Sequence, residues 1–201
     1  DKTGTITENK MSLASIFVLA NQKYYSLATE LPEEGKALIR TSMWASEPIP
    51  FDPMEVALHE AYSEIMLTDE RPNFNIVKEY ALGGQPPMMT HIFEDKQGHR
   101  IIAAKGAPEA IINVSDLDPD EGKVIEDTIL EFASKGYRVL GVGEAHMDSD
   151  EYPKSQQEIR FIFKGIIAFY DPPKKNITKV LNDFYDAGIT VKIVTGDNAA
   201  T

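Results

Sequence analysis

Residues 88–104 read MMTHIFEDKQGHRIIAA. Two strand-like runs, Met88 to Glu94 and Arg100 to Ala104, flank Asp95-Lys96-Gln97-Gly98, a tetrapeptide with the composition of a hairpin turn. A third run, Asn75 to Ala81, lies just upstream, and Tyr137 to Glu144 is strand-like again downstream. Apolar β-rich segments also stand near the two ends, at Met11 to Leu19 and Phe161 to Tyr170. Helical spacing of apolar residues marks Tyr24 to Trp44, interrupted near Pro32 and Gly35. It marks Glu55 to Met66 more clearly, with Asp52 as the expected N-cap and Pro53 in the first turn. Pro108 to Val114 can start a short helix, and Asp120 to Lys135 is amphipathic and stopped by Gly136. Strands clustered as hairpins with helices between them predict an α+β fold, an antiparallel sheet with flanking helices.

After Tyr170 the pattern changes. Asp171-Pro172-Pro173 is a turn, Lys174 to Ala187 an amphipathic helix and Thr190 to Val194 an apolar strand, a partial α/β unit of the parallel, doubly wound kind. Asp1 to Thr5 reads as the loop that follows a strand further upstream. The expected division is therefore a central domain over 11–165, with pieces of a second domain at 1–10 and 166–201. A first residue that is neither Met nor the start of a signal peptide suggests a segment of a longer protein.

Composition narrows the function. The chain has 201 residues, 42% hydrophobic and 26% charged, as expected of a globular domain. No apolar run approaches the roughly 20 residues needed to cross a bilayer. The absence of cysteine excludes disulfides, thiolate catalysis and zinc-thiolate sites. A formal net charge of -12 opposes nucleic acid and anionic membrane surfaces as partners of the bulk surface. It also repels a nucleotide at long range, so a phosphate site here must rest on local basic groups, backbone amides or Mg²⁺.

Two strings carry chemistry. Asp1-Lys2-Thr3-Gly4-Thr5-Ile6-Thr7 sets an aspartate before a small-residue turn. Such an aspartate can attack phosphorus, while the turn's amides and hydroxyls hold phosphoryl oxygens and Mg²⁺ offsets their charge. At the far end, Ile193-Val194-Thr195-Gly196-Asp197 is a strand ending in hydroxyl, glycine and carboxylate. Two such strand ends side by side make a phosphate crevice. Taken singly, each is also an ordinary turn.

With DPMEVAL (Asp52 to Leu58), KGAPE (Lys105 to Glu109), GYRVLGV (Gly136 to Val142) and DPPK (Asp171 to Lys174) between them in order, the whole chain resembles the cation-transporting P-type ATPases. These belong to the haloacid dehalogenase superfamily, and the pattern is most similar to the calcium-type, hard-cation branch in bacteria. DKTGTIT resembles that family's phosphorylation motif and TGDNAAT its TGD motif. The resemblance implies that ATP phosphorylates Asp1, and that Thr3 contacts the γ-phosphate through its hydroxyl and Mg²⁺ through its carbonyl. It implies that Thr195, Gly196 and Asp197 border the phosphate from the facing strand. Glu55 would bond near the adenine amino group, Lys105 and Gly106 line the adenine pocket, Arg138 reach the phosphates and Asp171 face the ribose or phosphate region. The implied cofactors are ATP and Mg²⁺. The implied partners are the remaining phosphorylation domain and the actuator and transmembrane domains of a membrane pump whose cytoplasmic part this is, with no nucleic acid and no direct membrane contact.

Each middle residue has a plainer reading. Glu55 suits a first helical turn, Lys105 a solvated strand end, Arg138 a surface cation on Tyr137, and Asp171 a turn before two prolines. The chain also departs from the pattern. Where relatives carry an aromatic, a basic pair and Met before KGAPE, this chain has Tyr80 to Met89. Aligned on Met89, Leu82 takes the aromatic position and Pro87 the lysine position, while a shifted alignment offers Tyr80. Pro86 and Pro87 should keep this stretch out of a central strand, and apolar contact from Leu82, Met88 or Met89 is the expected substitute for stacking. A soluble phosphatase is the rival enzyme reading, but its general acid-base residue belongs two positions after the nucleophile, where Thr3 stands. An interaction module with a degenerate nucleotide site is the non-enzymatic rival. The resemblance implies that the chain by itself binds ATP or ADP without turnover; sustained Mg²⁺-dependent hydrolysis abolished by Asp1→Asn would overturn that.

Overall fold

Side chains alternate across strand β7 (Ile162–Tyr170): Ile167 and Phe169 enter one core, Ile166 and Ala168 the other. Both faces of this strand are buried, which is why its sequence is a continuous apolar run rather than an alternating one. The computed structural model describes residues 2–147, 149 and 151–194. Among them, β1 (Ser12–Val18), β2 (Lys23–Ser26), β3 (Phe74–Gly83), β4 (Met88–Asp95), β5 (Arg100–Gly106), β6 (Arg138–Ala145) and β7 form one sheet in the order β2-β1-β7-β6-β5-β4-β3. Every neighbouring pair is antiparallel. The 88–104 hairpin forms as its sequence predicts: Gly98 N–H donates to the Asp95 carbonyl at 3.2 Å, and the Asp95 carboxylate takes the N–H groups of Gln97 and His99.

Helices cover both faces. On one side α1 (Glu33–Trp44) and α2 (Pro53–Ile65) lay Leu38, Ile39, Leu58 and Tyr62 on Ile16, Phe93, Ala103 and Val142. On the other, α3 (Pro108–Asn113) and α4 (Pro119–Ser134) lay Ile111, Ile125 and Phe132 on Phe17, Ile92, Ile102 and Ala104. The acidic run Asp116 to Glu121 starts α4. Asp118 accepts from Glu121 N–H at 2.8 Å and the Glu121 carboxylate takes Asp118 N–H at 3.1 Å, a capping box. Gly136, at φ 76°, ends that helix in the left-handed region.

Two expectations need correction, and the drawn domain limit meets a strand. Tyr24 to Trp44 is not one helical segment. Lys23–Ser26 pairs with β1 as an edge strand, because Tyr24 packs on Phe17 and Phe132, and α1 starts only after its N-cap at Pro32. The division at 165/166 falls inside β7, whose residues stay paired with β1 and β6 to Tyr170. The strand over Thr190 to Val194 does not form among the described residues, since it has no described neighbour to pair with. The helix before it, α5 (Ile177–Asp186), buries no residue.

Past the sheet, the two linkers run side by side. Glu8 N–H donates to the Pro172 carbonyl at 2.9 Å, Lys174 N–H to the Ile6 carbonyl at 2.9 Å, and Thr7 bridges Pro173.

His59 of α2 is almost fully buried, and its Nδ1 lies 3.1 Å from Arg71 Nη1, which is itself held by Asp69. Burial first, and the Arg71 charge second, hold His59 below its ordinary value of 6.5. The unfolded chain therefore takes up a proton that the folded chain refuses. The contribution is full above that value and is lost as pH falls below it. His91 is shifted in the same direction, by burial and then by Lys105. The thermal midpoint should fall between about pH 7.5 and about 5.5, and His59→Gln, which keeps an acceptor for Arg71 without titrating, should reduce that slope.

Candidate functional site

The same period-two alternation puts Met89 of β4, Lys105 of β5, and Arg138 and Leu140 of β6 on the face that α2 covers. In the ladder Met89 lies opposite Lys105. α2 is aimed at them by its cap: Asp52 accepts from Met54 N–H at 2.9 Å, with Pro53 in the first turn. The Asp52-to-Glu55 spacing suits a capping box, but the Glu55 carboxylate turns inward instead. Its Oε1 takes Lys105 Nζ at 2.7 Å and Glu47 N–H at 3.3 Å.

Lys105 Nζ also donates to the Ala45 carbonyl at 2.7 Å and to Ser46 Oγ at 3.1 Å, and sits 3.2 Å from Met89 Sδ. Its three donors thus meet three oxygens. Lys105 is 4% exposed and Glu55 5%, so neither is the solvated strand end or surface acid that each resembles in isolation. Burial lowers the Lys105 pKa while the Glu55 charge opposes that shift.

Above this pair lies a cleft of about 350 Å³. Glu55, Leu82, Met89, Lys105, Gly106 and Arg138, six residues expected to act together, all line it, with Glu47, Phe51, Asp52, Met54, Pro87, Ala107 and Leu140. Gly106 is required by close approach: a Cβ there would lie 2.5 Å from Met88 Cα and from the Pro87 carbonyl. Pro86 and Pro87 sit in the turn between β3 and β4, where no ladder donor is needed. Leu82 is exposed at the rim. Tyr80, the aromatic offered by the shifted alignment, packs in the opposite core and donates to the Pro153 carbonyl at 2.6 Å. The register shifts between Tyr80 and Gly83, so residues two apart here do not share a face.

A second cavity, of about 470 Å³, is lined by Lys2, Thr7, Tyr170, Asp171 and Ile193 among others and shares Arg138 with the first. Asp171 belongs to this cavity and not to the cleft. Its Oδ2 takes the Thr7 hydroxyl at 2.5 Å and its Oδ1 the Lys10 N–H at 3.0 Å, clasping the two linkers. Thr3 lies in the turn that follows Lys2 and is not among the residues lining either cavity. Asp1, Thr195, Gly196 and Asp197 lie outside the described residues.

Sequence reasoning missed Phe51. Among the described residues lining the cleft it carries the only aromatic ring, and it is 84% exposed. It directly precedes the N-cap of α2, where an apolar side chain ordinarily staples down onto the helix. A staple would be covered, and this ring is not.

The family model for the P-type ATPase cytoplasmic domain N matches residues 49–176, and the chain belongs to that family. It is 28% identical to plasma membrane ATPase 1 of Candida albicans over 98% of this chain and 20% of that protein. It is 28% identical to a plasma membrane-type calcium-transporting ATPase of Arabidopsis thaliana over 100% of this chain and 23% of that protein. It is 25% identical to a calcium-transporting ATPase of Bacillus subtilis over 100% of this chain and 27% of that protein. The chain thus spans about a fifth to a quarter of the length of these relatives. No described helix is long and apolar enough to cross a membrane.

Removing one member of the buried pair leaves the other charge unpaired. Glu55→Ala should cost roughly 3–5 kcal/mol, read as a lower urea midpoint, and Glu55→Leu with Lys105→Met should recover most of it.

Proposed function

We propose that this chain holds the nucleotide of MgATP in the cleft between β4–β6 and α2, as part of a cation-transporting membrane ATPase. The observation that carries the reading is the convergence of Glu55, Leu82, Met89, Lys105, Gly106 and Arg138 on one cleft from five separate elements, α2 and β3 to β6. Its apolar wall suits a base and its exposed Arg138 suits phosphates. Lys105 gives the floor its shape rather than a donor to ligand, because its ammonium is already taken. Glu55, bonded through Oε1, is left Oε2 for the adenine amino group. The base lies between Leu82 and Met89 on the sheet side and Phe51 on the helix side. Phe51 thereby supplies the ring that Leu82 does not.

Arg138 borders both cavities, so a nucleotide held in the cleft extends its phosphates toward the linker turn that starts at Lys2. In the whole protein the Asp1 carboxylate attacks the γ-phosphorus, the bond to the bridging oxygen breaks, and ADP leaves an aspartyl-phosphate. Thr3 provides no general base at that position, which favours a long-lived intermediate that the rest of the pump uses to move its ion. Mg²⁺ arrives with ATP as part of the substrate; Asp1 and Thr3 contact it but by themselves make an incomplete metal site. Residues 1–10 and the segment after Tyr170 belong, in this reading, to the phosphorylation domain. The actuator and transmembrane domains of the parent are the partners, and the chain faces the cytoplasm.

Titrating ATP into the labelled chain should shift amide resonances around Phe51, Glu55, Leu82, Gly106 and Arg138. One lost aromatic contact is worth about 1 kcal/mol, so Phe51→Ala should weaken binding about fivefold without loss of stability, and Leu82→Phe should tighten it by a similar factor. No shifts at millimolar ATP would favour the interaction module.

A further inference from the structure

Beside the cleft, on the same face of the sheet, His91 is completely buried, and neither of its ring nitrogens has a partner at full hydrogen-bonding geometry, although the Ala45 carbonyl acts on the ring. Burial of an imidazole without partners is costly, and such groups in native folds usually answer to something not yet placed. Directly opposite His91 in the β3–β4 ladder is Glu79. Side chains paired this way across antiparallel strands stand on one face, close together. The loop from α1 to α2 brings Glu47 over them, with its Oε1 3.9 Å from His91 Nε2. One ligand atom from each of Glu47, Glu79 and His91 lies within 4.8 Å of the other two.

We propose that Glu47, Glu79 and His91 form a binding site for a divalent first-row transition metal of the zinc class. One imidazole nitrogen and two carboxylate oxygens form the donor set of a three-ligand site with water in the fourth position. Metal–ligand bonds of about 2.0–2.2 Å require donor atoms roughly 3.3 Å apart, so the three groups need to close by no more than about 1.5 Å. The two carboxylates sit on the rim and on the exposed edge strand, where their rotamers are free to make that adjustment. Two negative charges offset the ion's charge, and the buried nitrogen gains the partner it lacks. An imidazole ligand selects against Mg²⁺ and Ca²⁺, which prefer all-oxygen shells of six or more donors.

The site joins the edge of the sheet, where β3 and β4 are already paired, to the α1–α2 loop. That loop also carries Phe51 to the cleft, and Glu47 lines the cleft as well. A bound metal therefore staples the loop to the sheet edge and fixes one wall of the cleft. This follows from the side-chain geometry alone and holds whether or not the cleft takes a nucleotide.

The test is a titration of the metal-stripped 201-residue chain with Zn²⁺ alone, by calorimetry and by histidine ring NMR. The expected result is one tight site per chain with the His91 ring resonances shifted. The thermal midpoint should rise by about 5 °C or more at a hundredfold excess of free Zn²⁺ over Kd. Glu79→Gln lies on the exposed edge, so it should leave the metal-free midpoint unchanged while weakening Zn²⁺ at least tenfold. His91→Asn should weaken it further. Binding that Glu79→Gln leaves intact, or that shifts only His99, would assign the ion to the exposed His99–Asp95 pair and overturn the proposal. Displacement of Zn²⁺ by equimolar Mg²⁺ would overturn it too, as would the absence of binding at 100 μM Zn²⁺.

Discussion

The Lys105 ammonium is the constraint on which the site depends. Lysine at the end of a strand ordinarily reaches for water, yet here the strand end is covered by α2 and the chain that precedes it. The charge must then be met within the protein or not exist. It is met by a carboxylate, a carbonyl and a hydroxyl drawn from the first turn of α2 and from the end of α1. Such a pair contributes little net stability over an apolar one, because desolvation offsets the attraction. Its effect is positional: the three acceptors are brought together at one point, so the α1–α2 corner has one place on the sheet.

That placement decides what the cleft can hold. With α2 docked by Glu55, the segment before it stands over the open side of the sheet and carries Phe51 to the rim. Opposite it, the β3–β4 turn is drawn in because Gly106 has no side chain to keep Pro87 and Met88 away. The bulge after Tyr80 then turns Leu82 toward the cleft and leaves Tyr80 in the other core. The walls are thus set by one buried charge, one absent side chain and one irregular rung. Arg138 at the start of β6 joins this cleft to the cavity over the linkers, where Asp171 clasps Thr7 and Lys10. In that position the acid ties the two linkers together.

Much of this was legible beforehand, for definite reasons. The hairpin at Asp95 to Gly98, the N-cap at Asp52 and the stop at Gly136 are written in residues whose backbone chemistry is local, and each formed where it was read. The family was legible from ordered motifs, because their residues are held by the same backbone turns. Lys23–Ser26 was not legible, because its strand character comes from pairing with β1 and from the packing of Tyr24 on Phe17 and Phe132. The last strand was legible to its end, since the apolar run from Phe161 stops at Tyr170 as β7 does. The domain limit drawn at 165 falls within that strand, whose partners continue to its end.

The sequence by itself determined the local elements, the antiparallel class and the family, since turns, caps and periodicity act over a few residues. Only the tertiary structure decided which of the named residues meet. Lys105 and Glu55 are 50 positions apart, and no spacing rule says that one will neutralise the other inside the protein. Phe51 reads as an ordinary staple until the fold leaves it uncovered, and His91 as an ordinary core residue until Glu79 and Glu47 are brought beside it. Burial and long-range contact create those roles, and both are properties of the packed chain.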